Sequence, residues 1–203
     1  MRTRFGLYFF ILFSFLFLLA PSSAFSTNEP PTRLLLYKTI EVGDLEKAKV
    51  ILAGTDINSQ DHLGYTLLYK AVFYNRLNFV EYFFELGANV NLSDIEGLAP
   101  LHVAVLENLP GMIKILKDKG ADIEAKDDYG YTPLHLAADQ GSFNASQQLI
   151  YAGANVNSRS DWGGTPLHAS VANKNFDLIR LLMTNGAKLG LKDRLGRTSL
   201  HWA

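Results

Sequence analysis

Cysteine is absent from this chain of 203 residues, and only seven residues are proline. Without cysteine the protein can form no disulfide and cannot use a thiolate as a nucleophile or metal ligand, so its stability must come from packing. Positive charge is also sparse, because lysines and arginines are scattered singly and the formal net charge is −1 at pH 7. A phosphate-binding surface needs basic side chains in a patch or stripe, so the composition does not indicate nucleic-acid binding.

A long apolar run occurs at the amino terminus. Arg2 and Arg4 precede an apolar run over residues 5–20, and small residues follow up to Ala24. A charged start, a short apolar middle and a small-residue site are typical of a secretory signal. We therefore predict a signal peptide over residues 1–24. The apolar run falls short of the ~20 residues that a membrane-spanning helix needs, so an uncleaved anchor is the alternative.

The rest of the chain repeats itself every 33 residues. Similar segments begin at five positions separated by that interval, which are Tyr65, Leu98, Tyr131, Gly164 and Arg197. Two glycines per unit recur in the same register. A fixed period of this size indicates a stacked array, in which no unit can bury its apolar face alone.

Each period predicts two helices followed by an extended turn. Thr132 can cap a first helix that starts at Pro133 and that Gly141 ends. A second helix is expected over about residues 144–151, with Gly153 ending it in the left-handed conformation. The second helices also show amphipathic spacing, as in Phe79, Val80, Phe83 and Phe84.

These motifs resemble the ankyrin repeat. The period, the motif G-x-T-P-L-H-x-A and the motif G-A-D/N-V/I-N match that family from about residue 33 to residue 203. The resemblance implies an all-α solenoid of helix–turn–helix units joined by β-hairpin-like turns. About four full repeats are flanked by a degenerate amino-terminal repeat and a truncated last one. The predicted boundaries are a linker over 25–32 and then units 33–64, 65–97, 98–130, 131–163, 164–196 and a partial unit 197–203.

Four of the five histidines share one register, namely His102, His135, His168 and His201. Stacked helices separate equivalent residues by roughly 10 Å, far more than a ~2 Å metal–nitrogen bond, so we expect no metal site. The resemblance implies that each imidazole bridges backbone groups of neighbouring turns. Threonines are expected to cap helices and aspartates to form turns, which leaves no catalytic constellation. The sequence thus predicts neither an enzyme nor a bound cofactor; the expected turn formers are Asp61, Asp94, Asp127 and Asp193.

The same resemblance implies a protein-binding surface on the concave side, made of turn tips and the exposed face of the first helices. Turns are normally polar, yet the tips carry large apolar side chains in successive units. Exposed aromatic residues give a large contact area with few rotors to order, which is typical of a protein-binding surface. The alternative is that individual side chains pack against the neighbouring turn. The predicted partner-binding residues are Tyr65, Ile95, Tyr129, Tyr131 and Trp162.

Taken together, these patterns predict an exported, non-catalytic module that binds or scaffolds a partner protein, in the periplasm, at the cell surface or secreted. No nucleic acid or small-molecule substrate is expected. An uncleaved segment over residues 5–20 would instead make the protein a membrane-anchored regulatory subunit. A further alternative is an amino-terminal fragment of a longer ankyrin protein with an effector or catalytic domain beyond residue 203. We expect residues 197–203 to fray, because so short a helix is marginal in water.

Overall fold

A computed structural model describes residues 30–203 of the protein. Residues Pro31–Ala203 form one compact unit. The predicted signal peptide and residues 25–29 of the predicted linker lie outside the described residues. Pro31 and Thr32, which the sequence placed in the linker, already belong to the first helix.

Within the described residues the chain forms ten α-helices, which follow one another in pairs. First helices pack against first helices of neighbouring units, and from the third unit onward second helices do the same, so the predicted all-α solenoid is confirmed. The pairs are α1 (Pro31–Val42) with α2 (Leu45–Ile51), α3 (Leu67–Phe73) with α4 (Leu77–Glu85), α5 (Pro100–Leu106) with α6 (Pro110–Asp118), α7 (Pro133–Gln140) with α8 (Phe143–Tyr151), and α9 (Pro166–Ala172) with α10 (Phe176–Thr184). A 3₁₀ helix (Ser199–Trp202) follows.

The first helices begin where the sequence predicts. Pro133 occupies the first turn of α7, where no backbone donor is needed, and Gly141 ends this helix with φ of 72°. In α3 the Thr66 hydroxyl accepts a hydrogen bond from the Tyr69 amide at 3.0 Å. Local capping therefore fixes the start of these short helices, which would be unstable alone.

The core lies between the first and second helices of each unit and between neighbouring units. Its largest members are fully buried and come from both helix types, including Phe79, Phe83, Leu101, Ile113, Leu116 and Leu134. Burying one such side chain contributes roughly 2 kcal/mol, so apolar packing supplies the main driving force for stacking. The amphipathic second helices predicted from the sequence supply a substantial share of this core.

A second set of contacts, the asparagine ladder, links neighbouring units beside the turns. The Asn91 side-chain amide donates to the Gly120 carbonyl at 3.2 Å, and its oxygen accepts from the Asp122 amide at 2.9 Å. In the next unit Glu124 occupies the position of Asn91, and its carboxylate accepts a hydrogen bond from the Asn155 amide at 2.8 Å. The ladder residues are Asn58, Asn91, Glu124 and Asn157, whereas the equivalent position in the last full unit is Gly190.

The carboxyl-terminal residues are held by one aromatic side chain. The Trp202 indole donates to Asp193 Oδ2 at 3.1 Å, and its ring lies 5.5 Å from that of His168 in an edge-on contact. Leu200, which occupies the register of the fully buried Leu134, is 77% exposed. Trp202 therefore covers part of the last unit, whereas Leu200 contributes little to covering it.

Candidate functional site

The turns between units form a regular row, here called the tip row, over residues 61–64, 94–97, 127–130, 160–163 and 193–196. In the turn at Asp127, Oδ1 accepts hydrogen bonds from the amides of Tyr129 at 2.9 Å and Tyr131 at 2.8 Å. The backbone closes the same turn, because the Asp127 amide donates to the Tyr131 carbonyl at 3.0 Å. The predicted role of the aspartates as turn formers is confirmed at Asp61, Asp94, Asp127 and Asp193.

Neighbouring tips are bonded directly to one another. The Asp161 amide donates to the Tyr129 carbonyl at 3.0 Å, and the Arg194 amide donates to the Trp162 carbonyl at 2.9 Å. The tips also approach closely, because a Cβ atom on Gly130 would lie 2.7 Å from the Asp161 nitrogen. The expected hairpin-like turns therefore consist of turn hydrogen bonds, and within residues 30–203 the β pairing is limited to one isolated bridge between Lys192 and Thr198.

Three of the five predicted partner-binding residues project from the tip row. Ile95 and Trp162 are 63% and 61% exposed, and Tyr129 is also exposed. Each lies between the turn-forming residue and the tip glycine, where the backbone is furthest from the helices. Their exposure agrees with the sequence prediction, and their partner-binding role stays a prediction.

Tyr65 and Tyr131 do not project in this way. Tyr65 is only 7% exposed and packs its ring on that of Tyr69, with ring centroids 4.5 Å apart. Tyr131 is half-buried, and its ring contacts His135 at 5.7 Å. The residue after the tip glycine turns back toward its own first helix. The expectation of an exposed side chain is therefore wrong for Tyr65 and holds only in part for Tyr131.

The sequence reasoning missed Leu195, which extends the same row. It is 75% exposed and occupies the same position in its turn as Tyr129 and Trp162. Register alone could have found it, because each of these residues lies two positions after the turn former.

The histidines are structural, as the ankyrin resemblance implies. Nδ1 of His135 accepts from the Thr132 amide at 3.2 Å, so the ring proton resides on Nε2, which donates to the Gly164 carbonyl at 3.2 Å. His168 makes the same pair of contacts with Thr165 and with Arg197. Each of these imidazoles thus joins its own helix start to the next unit.

His102 makes only half of this arrangement. Its Nδ1 accepts from the Ala99 amide at 3.1 Å, but Nε2 has no hydrogen bond in the described part of the chain. Burial lowers the pKa of His102 to about 4, although the backbone carbonyls of Tyr131 and Ala125 oppose this change. Burial likewise lowers the pKa of His135 to about 4. These buried rings are therefore neutral at neutral pH.

In the first two units a tyrosine replaces the histidine. The Tyr37 hydroxyl donates to Asp61 Oδ2 at 3.0 Å and to the Tyr65 carbonyl at 3.1 Å. The Tyr69 hydroxyl donates to Asp94 Oδ2 at 2.9 Å. Burial is the main reason that the pKa of Asp94 rises to about 6, against the hydrogen bonds it accepts from Leu98, Glu96 and Tyr69.

Neither a metal site nor a membrane-spanning element is found in the described residues. Within residues 30–203, no three acidic or histidine side chains are gathered as metal ligands would be. That part of the chain also has no helix with the length and apolar composition needed to cross a bilayer.

The helices are paired, the tips are hydrogen-bonded to one another, and side chains link neighbouring units at a constant period. Together these features define a helical-repeat solenoid. The family model described as ankyrin repeats (3 copies) matches residues 35–127, 112–160 and 134–203. These matches cover most of the chain, which therefore belongs to the ankyrin-repeat family. Such repeats are generally non-catalytic modules for protein–protein interaction. A search of curated proteins found no match.

Proposed function

We propose that this array binds a partner protein through the exposed side chains of its tip row. The observation that carries the proposal is the alignment of Ile95, Tyr129, Trp162 and Leu195 along turns that are bonded to one another. Large apolar side chains are unusual at turn tips, which are normally polar. Contiguous exposed apolar surface is typical of sites that bind other proteins.

The rigidity of the tips favours binding. Each tip is fixed by its aspartate or serine turn and by a backbone hydrogen bond to the next tip. A partner would therefore need to order few backbone torsions of this protein on contact. Side chains held in place before binding contribute more to affinity than side chains that must first be ordered.

The experiment replaces Ile95, Trp162 and Leu195 together by serine. Capture of the partner from the organism's envelope fraction is compared between the native protein and this variant, with mass spectrometry identifying the captured band. A buried aromatic anchor typically contributes ~2 kcal/mol or more to binding, so we expect the band to be lost while helical circular dichroism is unchanged.

The matched control replaces Phe176, which is equally exposed but lies at the start of α10, away from the tips. Phe176→Ser is expected to leave capture unchanged. A photocrosslinking residue placed at position 162 should attach to the same partner, and one placed at 176 should not. If the triple variant captures the partner normally, or if the crosslink forms only at 176, the tip row is not the binding surface.

We also propose that the protein is exported, as the first 24 residues suggest. The support is the sequence alone: Arg2 and Arg4, the apolar run over 5–20 and the small residues before Phe25. Sequencing the amino terminus of the protein isolated from its source should yield Phe25. Recovery of an intact Met1 or Arg2 from a washed membrane pellet would instead support the membrane-anchored regulatory subunit.

A further inference from the structure

Lys70 is unusual among the first helices of the full units, although Lys38 follows Tyr37 in the degenerate first unit. Lys70 follows the tyrosine that replaces the repeat histidine, whereas the other full units carry Val103, Leu136 and Ala169 at this position. Its ammonium nitrogen lies over the Tyr65 ring, 4.0 Å from the centroid, and over the Tyr37 ring, 5.2 Å from the centroid. The rings of Tyr37 and Tyr65, with the space that the Lys70 ammonium fills, are here called the aromatic cage.

The walls of the aromatic cage are positioned without help from Lys70. The Tyr37 hydroxyl is tied to Asp61 and to the Tyr65 carbonyl. The Tyr65 ring packs on the Tyr69 ring at 4.5 Å, and the Tyr69 hydroxyl is tied to Asp94. Removing the lysine side chain would therefore leave the two aromatic faces in place.

The electrostatic surroundings favour a cation but do not suit a primary ammonium. The carboxylates of Asp61 and Asp94 both favour the charged form of Lys70, yet burial outweighs them and lowers its pKa to about 8. Within residues 30–203 the ammonium has no carboxylate at ion-pair distance. A primary ammonium in the aromatic cage thus gives up part of its hydration without gaining carboxylate acceptors for its N–H groups.

A quaternary ammonium would not suffer this loss, because it has no N–H group to hydrate. It would keep the attraction of both ring faces and of the two nearby carboxylates, and aromatic cages recognise such ions in this way. We propose that the aromatic cage of Tyr37 and Tyr65 is a binding site for a quaternary ammonium group, and that the Lys70 side chain occupies it until such a ligand displaces it. This inference does not depend on the tip row.

The test opens the cage with Lys70→Ala and uses tetramethylammonium chloride as the probe. Ring faces shift nearby protons upfield, so we expect a saturable upfield shift of the probe's methyl resonance with this variant. Binding to the native chain should be at least about tenfold weaker, since the lysine must first leave. A second substitution, Tyr65→Leu, should weaken binding to Lys70→Ala by about tenfold, since one cation–π contact is lost.

Two controls make the result specific. Leu136→Ala empties the equivalent position in the fourth unit, where this pair of tyrosines is absent, and should not bind the probe. The neutral isostere 3,3-dimethylbutan-1-ol should bind Lys70→Ala much more weakly than tetramethylammonium does. Equal binding in either control, or no binding to a folded Lys70→Ala, would overturn the proposal.

If Lys70→Ala does not fold, the native chain decides the question. A saturable upfield shift of the probe that disappears in the Tyr65→Leu chain supports the site, and no saturable shift refutes it. Parallel titrations with choline and with Nε-trimethyllysine then tell which source of the quaternary group fits better.

Discussion

The first two repeats and the later repeats are joined to their neighbours by different chemistry. In the first two, a tyrosine hydroxyl donates to a turn carboxylate, as Tyr69 does to Asp94. In the fourth and fifth units an imidazole donates to a backbone carbonyl, as His135 does to Gly164. Both side chains start from the same position of the first helix. The fold therefore accepts more than one type of donor side chain at this position.

The tyrosine contacts and the histidine contacts differ in whether charged groups are buried with them. The tyrosine version buries the carboxylate of Asp94 together with the neighbouring Lys70 ammonium, and burial moves both pKa values toward neutrality. The histidine version buries neutral rings against neutral carbonyls. Changes of residue or of pH should consequently affect the two regions differently.

The largest expected difference follows from removing one side chain in each region. Tyr69→Ala deletes a fully buried ring and removes the hydroxyl that donates to Asp94 Oδ2, so we expect a loss of about 3–5 kcal/mol in the free energy of unfolding. His135→Ala removes a smaller ring and a neutral hydrogen bond, and about 2–3 kcal/mol is expected. Urea unfolding followed by circular dichroism measures both.

The control Tyr69→Phe isolates the hydroxyl, and about 1–3 kcal/mol should be lost. Equal losses for Tyr69→Ala and His135→Ala would show that the two regions are energetically alike despite their chemistry.

Acid should act in opposite directions on the buried carboxyl of Asp94 and on the buried histidines. The pKa of folded Asp94 is about 6, compared with about 4 when unfolded, so the folded state binds the proton first and gains stability as the pH falls through that range. The pKa values of folded His102 and His135 are about 4, compared with about 6.5 when unfolded, so their contribution is lost over a similar range. Each of these groups can contribute up to about 3 kcal/mol.

Urea unfolding at about pH 7 and about pH 4.5 checks this prediction, since linkage makes stability follow proton uptake. Compared with the native protein, His135→Gln should lose less stability on acidification, and Asp94→Asn should lose more. A steeper loss in His135→Gln would contradict the assigned direction for the histidine.

A smaller effect is expected at the one tip-row turn whose first residue is not aspartate. Ser160 occupies the position of the turn-forming aspartate, and its buried hydroxyl has no hydrogen bond in the described residues. Ser160→Asp would offer an acceptor to the amides of Trp162 and Gly164, and we expect a gain of about 1 kcal/mol. Thermal unfolding measures the gain, and Asp127→Ser, expected to cost a similar amount, is the matched reverse change. A loss of stability in both variants would mean that this turn is shaped for serine.

The smallest effect on stability is expected from Trp162→Ala. This side chain lies largely in solvent, so the free energy of unfolding should change by less than about 0.5 kcal/mol. Trp202→Ala is the comparison, because its indole is bonded to Asp193 and packed on His168, and about 2 kcal/mol should be lost. Similar losses from both substitutions would identify Trp162 as a packing residue.

The sequence was sufficient to predict the repeat and its helices, because the period and the Thr-Pro-Leu-His motif are local signals that recur. The register of the repeat also aligns Tyr37 and Tyr69 with the histidine position. It could not give their bonds to Asp61 and Asp94, since those bonds depend on distances between neighbouring units. The burial of Tyr65 has the same origin: the direction of a side chain after a tip glycine is decided by the helix it meets.

The asparagine ladder has a mechanical consequence. A stretching force applied along the stack loads the links between successive units in series, so the interface with the fewest links yields first. Between most neighbours, core packing, a tip bond and a ladder side chain share the load. Residues 197–203 have no ladder link to the unit before them within the described residues, and they are held by contacts such as those of Trp202 with Asp193 and His168. Under tension these residues should therefore detach before the links between full units break.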